Sequence, residues 1–138
     1  MLRGLTTVSF FASDLEAARA WYTELLGIEP YFVVPGYLEF RVGDYLHELG
    51  IIDSRYAPHP VNGDPGGAVV FWHVNDLPAT LDRLSALGAA EHQPTTDRGE
   101  GFVTASVIDP FGNVLGVMSN PHYLDVLQSG PARVEAQG

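Results

Sequence analysis

The chain has 138 residues, a formal net charge of −10, no cysteine, and arginine as its only basic residue besides histidine. That length suits one domain, expected over 1–138, which can bury roughly two thirds of the surface of its unfolded form, and 46% hydrophobic with 17% charged residues is globular composition. Without thiols there are no disulfides, thiolate metal sites or cysteine nucleophiles, and without lysine there is no Schiff base or phosphate-loop lysine. The negative field repels phosphate backbones, so no nucleic-acid partner is expected. No apolar run approaches the roughly 20 residues that span a bilayer, and the opening MLRGLTTVSFFASD lacks the apolar stretch of a signal peptide. The expectation is a cytoplasmic protein without a membrane partner.

Leu5 to Ala12 is rich in β-branched and aromatic residues and too short for a helix, so it reads as a strand. Ser13 and Glu16 form an S-x-x-E pattern, which predicts a helix capped by Ser13. Leu15, Ala18, Tyr22 and Leu25 recur on one face of it, and Gly27 stands where a left-handed cap is needed. Short β segments follow at about 31–34, 37–42 and 45–52, separated by Pro35-Gly36 and Gly43-Asp44. This βαβββ module covers about 5–52. A polar connection with several prolines and glycines follows over 53–66.

The second module, about 67–119, repeats the plan. Gly67 to Val74 reads as a strand, and 76–87 as a helix with Leu77, Leu81, Leu84 and Leu87 on one face, closed by Gly88. Residues 91–100 read as a loop. Phe102 to Ile108 and Val114 to Met118 then form a hairpin around Asp109-Pro-Phe-Gly-Asn113. Both helical segments open on Asp-Leu and close on Leu-Gly, which marks an internal repeat of about 60 residues. In the tail, 120–138, Tyr123, Leu124 and Leu127 suit a short docked helix, with fraying beyond Ser129. Trp21, Tyr22 and Trp72 are expected to pack helices onto sheets.

A strand running into S-D-L-E-x-A-x-x-W-Y-x-x-L-L-G, a second copy starting V-N-D-L, and D-P-F-G-N-V-L together resemble the vicinal oxygen chelate superfamily. This group includes glyoxalase I, the bleomycin-resistance proteins and ring-cleaving dioxygenases, and the resemblance runs from residue 5 to about 120. It implies an α+β fold in which two βαβββ modules form paired half-barrel sheets around a ligand cavity, commonly in a homodimer. Metal-dependent members place one ligand on each of four strands. Counted from the motifs, those positions fall here on Thr7, Glu48, Val69 and Gly116, of which only Glu48 is a metal-type ligand.

No metal ligand set is therefore assigned, and no cofactor is expected, the alternative being a divalent ion held by rearranged ligands. On the strand alternation that the resemblance implies, Thr7, Ser9, Glu48, Val69, Phe71, His73, Gly116 and Met118 face the cavity. His47 points away from Glu48 and reads as a structural or surface residue, as does His73 taken alone. His59, His92 and His122 read as solvated. Glu48 has two readings: an unpaired cavity carboxylate, which would anchor a cation or act as a catalytic base, or a partner of Arg41. Three functions remain open. One is metal-independent sequestration of a small aromatic or cationic molecule, as in the bleomycin-resistance proteins. The second is a metal-dependent lyase, isomerase or dioxygenase, and the third a metal-free enzyme with Glu48 as general base.

Overall fold

The computed structural model describes residues 1–58, 65 and 67–137, the stretch 131–137 by its backbone alone. Half of the connection expected at 53–66, His59 included, lies outside the described residues. What is described of it includes a 3-10 turn at Ser54–Tyr56, started by Asp53, whose side chain accepts from Arg55 N–H at 3.0 Å.

The first sheet contains β1 (Thr7–Ala12), β2 (Phe32–Val34), β3 (Tyr37–Val42) and β4 (His47–Asp53), with α1 (Leu15–Leu26) between β1 and β2. The second contains β5 (Val70–His73), β6 (Ala90–Gly99), β7 (Phe102–Ile108) and β8 (Val114–Ser119), with α2 (Leu77–Ala86) between β5 and β6. Their strand orders are β1-β4-β3-β2 and β5-β8-β7-β6, and in each the first strand runs parallel to the last. The two modules therefore share one topology in an α+β fold.

The repeated Asp-Leu is a helix start. Asp14 and Asp76 hold extended backbone, and their side chains accept from Ala17 and Ala79 N–H, each at 3.0 Å. The first cap is thus Asp14 and not the expected Ser13: the helix begins one residue later, where a carboxylate also suits the positive end of the helix dipole. Gly27 adopts φ 70° and returns its N–H to Thr23 O, as an αL cap does.

Strand alternation sorts the first sheet into two faces. Phe10, Ala12, Leu38, Phe40, Leu49 and Ile51 are buried with Ala18 and Tyr22 of α1. Thr7, Ser9, Glu39, Arg41 and Glu48 occupy the opposite face. In the second module Ala105, Val107, Leu115 and Val117 are buried with Leu77 and Leu84 of α2. All of these belong to one apolar cluster, so the helix-bearing faces of the two sheets meet. Trp21 Nε1 donates to Leu87 O at 2.7 Å and Arg83 Nη2 to Glu24 O at 2.8 Å, which ties the two helices across the junction.

The Asp109–Asn113 turn forms the expected hairpin and also clasps the modules together. Asn113 exchanges two hydrogen bonds with the backbone of Phe11, and Tyr22 donates its hydroxyl to Asp109 at 2.5 Å.

Residues 91–100, expected as a loop, lie mostly in β6. This strand carries Pro94, little apolar surface and three register irregularities against β7, all features of a sheet edge, where the ladder forms on one side only. His92 sits on β6 with Nδ1 2.8 Å from Ser106 Oγ. In the tail, α3 spans Pro121–Gln137 with a break at Gly130 (φ 65°, ψ −167°), so helical backbone continues past Ser129. Tyr123 is its docked side chain, whereas Leu124 and Leu127 are exposed. No described helix is long and apolar enough to cross a membrane.

Candidate functional site

Register builds the centre of the site. Thr7 and Glu48 are direct partners on β1 and β4, and Thr7 Oγ1 donates to Glu48 Oε1 at 2.5 Å. On the other side of Glu48 stands Arg41 of β3. Its guanidinium lies 3.7 Å over the ring of Tyr31, with Nε buried and unpartnered, and it makes no ion pair with Glu48. Of the two readings of Glu48, pairing with Arg41 is therefore not the arrangement found. A cation on an aromatic face gains about 0.5–2 kcal/mol, enough to compete with a pair screened by solvent.

Glu48 borders a cavity of about 230 Å³. The start of the chain contributes Leu5, Thr6 and Val8, and the segment around the β3–β4 turn contributes Asp44, His47 and Glu48. Strand β5 adds Phe71, Trp72 and His73, and α3 adds Tyr123. Of the residues proposed from sequence, Glu48, Phe71 and His73 are brought together, and Thr7 joins them through its hydrogen bond. Ser9, Val69, Gly116 and Met118 are not among the walls of this cavity.

Tyr123 was expected on a short docked helix, but nothing in the sequence says against what; here it links the modules. Its ring stacks on His73 (centroids 5.0 Å, 19°), its edge meets Tyr45, and its hydroxyl donates to Asp44 Oδ2 at 2.6 Å. Asn120 N–H donates to His73 Nδ1 at 3.1 Å, which in the neutral ring places the proton on Nε2. That Nε2 and the neighbouring Trp72 Nε1 are buried without a partner.

The Tyr123 hydroxyl is pushed up to about 12, first by burial and then by its bond to Asp44. Tyr37, which donates to Glu39 at 2.7 Å, is likewise raised to about 12, first by burial. Both folded values exceed the ordinary 10.0, so the folded state holds these protons more tightly. Their stabilisation is complete below about pH 10 and is lost as pH rises through about 12. Urea midpoints are expected to fall across that window, and less steeply in a Tyr37→Phe/Tyr123→Phe variant. An equal slope in the variant would contradict this assignment.

The metal positions implied by the resemblance do not fit an ion. Thr7 and Glu48 are bonded to each other, and Val69 offers hydrocarbon. At Gly116 even a Cβ would stand 2.6 Å from Val70 O and 2.7 Å from Phe71 Cδ1. The ring of Phe71, the cross-strand partner of Gly116, thus fills the space of a fourth ligand. Among the described residues no group of three or more histidine, aspartate or glutamate side chains is placed to hold a metal ion.

A family model described as Glyoxalase/Bleomycin resistance protein/Dioxygenase superfamily matches residues 4–117. No curated protein matches the chain. Among solved structures, a glyoxalase-related enzyme from Fulvimarina pelagi is 22% identical, covers 87% of this chain and 90% of its own, and has TM-score 0.69. A lactoylglutathione lyase from Agrobacterium tumefaciens is also 22% identical, with coverages of 87% and 96% and TM-score 0.66. A glyoxalase/bleomycin resistance protein from Catenulispora acidiphila is 25% identical, with coverages of 86% and 100% and TM-score 0.60. At these identities the structures establish a shared fold, and the family model extends over most of the sequence. The chain belongs to the Glyoxalase/Bleomycin resistance protein/Dioxygenase, or vicinal oxygen chelate, superfamily.

Proposed function

We propose that this protein binds and sequesters a small planar, cationic molecule without a metal ion. The observation that carries this reading is the closure of the fourth ligand position: a glycine stands there, with Phe71 packed over it. The cavity beside it supports the choice of ligand. Phe71, Trp72 and Tyr123 present aromatic rings, Asp44 and Glu48 present carboxyl groups, and among the described residues no arginine lines it. Aromatic faces and carboxylates both attract a flat cation. A volume of about 230 Å³ exceeds the roughly 150 Å³ of an apolar cavity that holds benzene, leaving room for a ring with a short charged substituent.

Two measurements on untagged protein test this. Plasma mass spectrometry is expected to find no stoichiometric transition metal, and near-stoichiometric metal lost in Glu48→Ala would overturn the reading. Benzamidine, titrated by calorimetry, is expected to bind, with Glu48→Gln weakening it by at least about tenfold, the value of one charge-assisted hydrogen bond. Absence of binding would count equally against it.

The active form we propose is a homodimer. Tyr31, Phe32, Val33 and Val34 on and beside the edge strand β2 expose apolar surface, as do Val69 and Phe71, and closed two-fold pairing is the commonest way to cover exposed apolar surface. Sedimentation equilibrium is expected to give the mass of two chains. A monomer at all concentrations would exclude it.

A further inference from the structure

A second cavity, of about 260 Å³, lies at the junction of the modules. Leu25 and Leu26 of α1, Leu84 of α2, and Trp72, Val74 and Leu115 of the second module form its apolar walls. Trp72 and Val42 separate it from the cavity that holds Glu48, since both line the two spaces. Protein interiors seldom leave voids larger than a water molecule, because unfilled apolar space forfeits dispersion contacts. Space of this size bounded by leucine and valine is suited to an apolar occupant.

The charge at this cavity is opposite to that of its neighbour. Among the described residues Arg83 is the single charged one lining it, and no carboxyl group does. The Arg83 side chain is exposed at the rim, donates one N–H to Glu24 O at 2.8 Å, and makes no ion pair among the described residues, where the ion pairs are Arg19–Glu29 and Arg55–Asp53. Its remaining donors are free to meet an anion.

We propose that this inter-module cavity binds an amphipathic monocarboxylate, with the apolar body between α1 and β5 and the carboxylate on the Arg83 guanidinium. The site is independent of the cation site proposed above, because its walls would reject a cation and the Glu48 cavity would reject an anion. The occupant also bears on the fold, since it fills the seam that α1 and α2 leave open and is expected to stabilise the folded state in proportion to its occupancy.

Octanoate is the probe. Titrated into the full chain, it is expected to bind once per chain, change the tryptophan emission through Trp72, and raise the thermal midpoint. Arg83→Gln, at an exposed position, is expected to weaken it at least about tenfold, and methyl octanoate to bind wild type no better than octanoate binds that variant. Val74→Phe, which fills the cavity, is expected to abolish binding while the circular dichroism stays that of the wild type. Failure of octanoate to bind, or binding unchanged in either variant, would overturn the proposal.

Discussion

Replacing Asp109 by alanine is expected to cost about 3–5 kcal/mol of stability, because it strips a buried hydrogen-bond hub of its acceptors. Asp109 is 3% exposed and accepts from Phe111 N–H at 2.9 Å, Asn113 N–H at 2.8 Å, Asn113 Nδ2 at 3.0 Å and the Tyr22 hydroxyl at 2.5 Å. Tyr22 is 1% exposed, and its hydroxyl is pushed well above its ordinary value, first by burial and then by Asp109. Without Asp109 that hydroxyl is left buried without its acceptor, and Asn113 loses the anchor that aims its amide at Phe11. Urea unfolding checks the cost. Tyr22→Phe alone is expected to cost less, about 1–3 kcal/mol, because Asp109 keeps its other donors. The double variant is expected to be more stable than the sum of the two losses predicts, since both remove the same bond. A cost below about 1 kcal/mol for Asp109→Ala, or full additivity, would show that the clasp contributes little.

Installing a carboxylate at the superfamily's fourth ligand position is expected to damage the fold without restoring a metal site. Gly116→Ala places a methyl group against Val70 O and the Phe71 ring, and overpacking of this kind costs about 1–3 kcal/mol. Gly116→Glu adds four further heavy atoms and is expected to cost at least as much. Phe71→Ala added to Gly116→Glu is expected to recover part of the loss, because the ring yields and the Val70 carbonyl does not. Urea midpoints for the three proteins, with metal analysis of each, decide the matter. A Gly116→Glu protein as stable as wild type, and loaded with metal, would mean that position 116 accepts a carboxylate and completes an ion site with the first two positions, and the closure on which the sequestration reading rests would fall.

The contrast between these two positions shows which features were legible in advance. The Asp109–Asn113 turn was readable because its residue types dictate a tight hairpin on their own, and Gly116 was readable as a departure from the superfamily's ligand pattern. Neither the embrace of Tyr22 by Asp109 nor the filling of Gly116 by Phe71 has a local signal. Each joins residues that are distant in the chain and meet only when strand register and module packing bring them together.

The same division holds across the molecule. Sequence by itself determined what depends on neighbours a few residues apart: the helix starts at Asp-Leu, the cap at Gly27, the alternation that buries Phe10, Leu38, Phe40 and Leu49, and the repeat that makes two modules. Tertiary structure decided the rest. Strand β6 lacks an apolar alternation and forms because β7 supplies its hydrogen-bond partners. Arg41 faces Glu48 across the sheet but settles on Tyr31. Tyr123 reaches across both modules to His73 and Asp44. In each case the choice among partners is an energy difference that exists only once the strands have paired and the modules have packed.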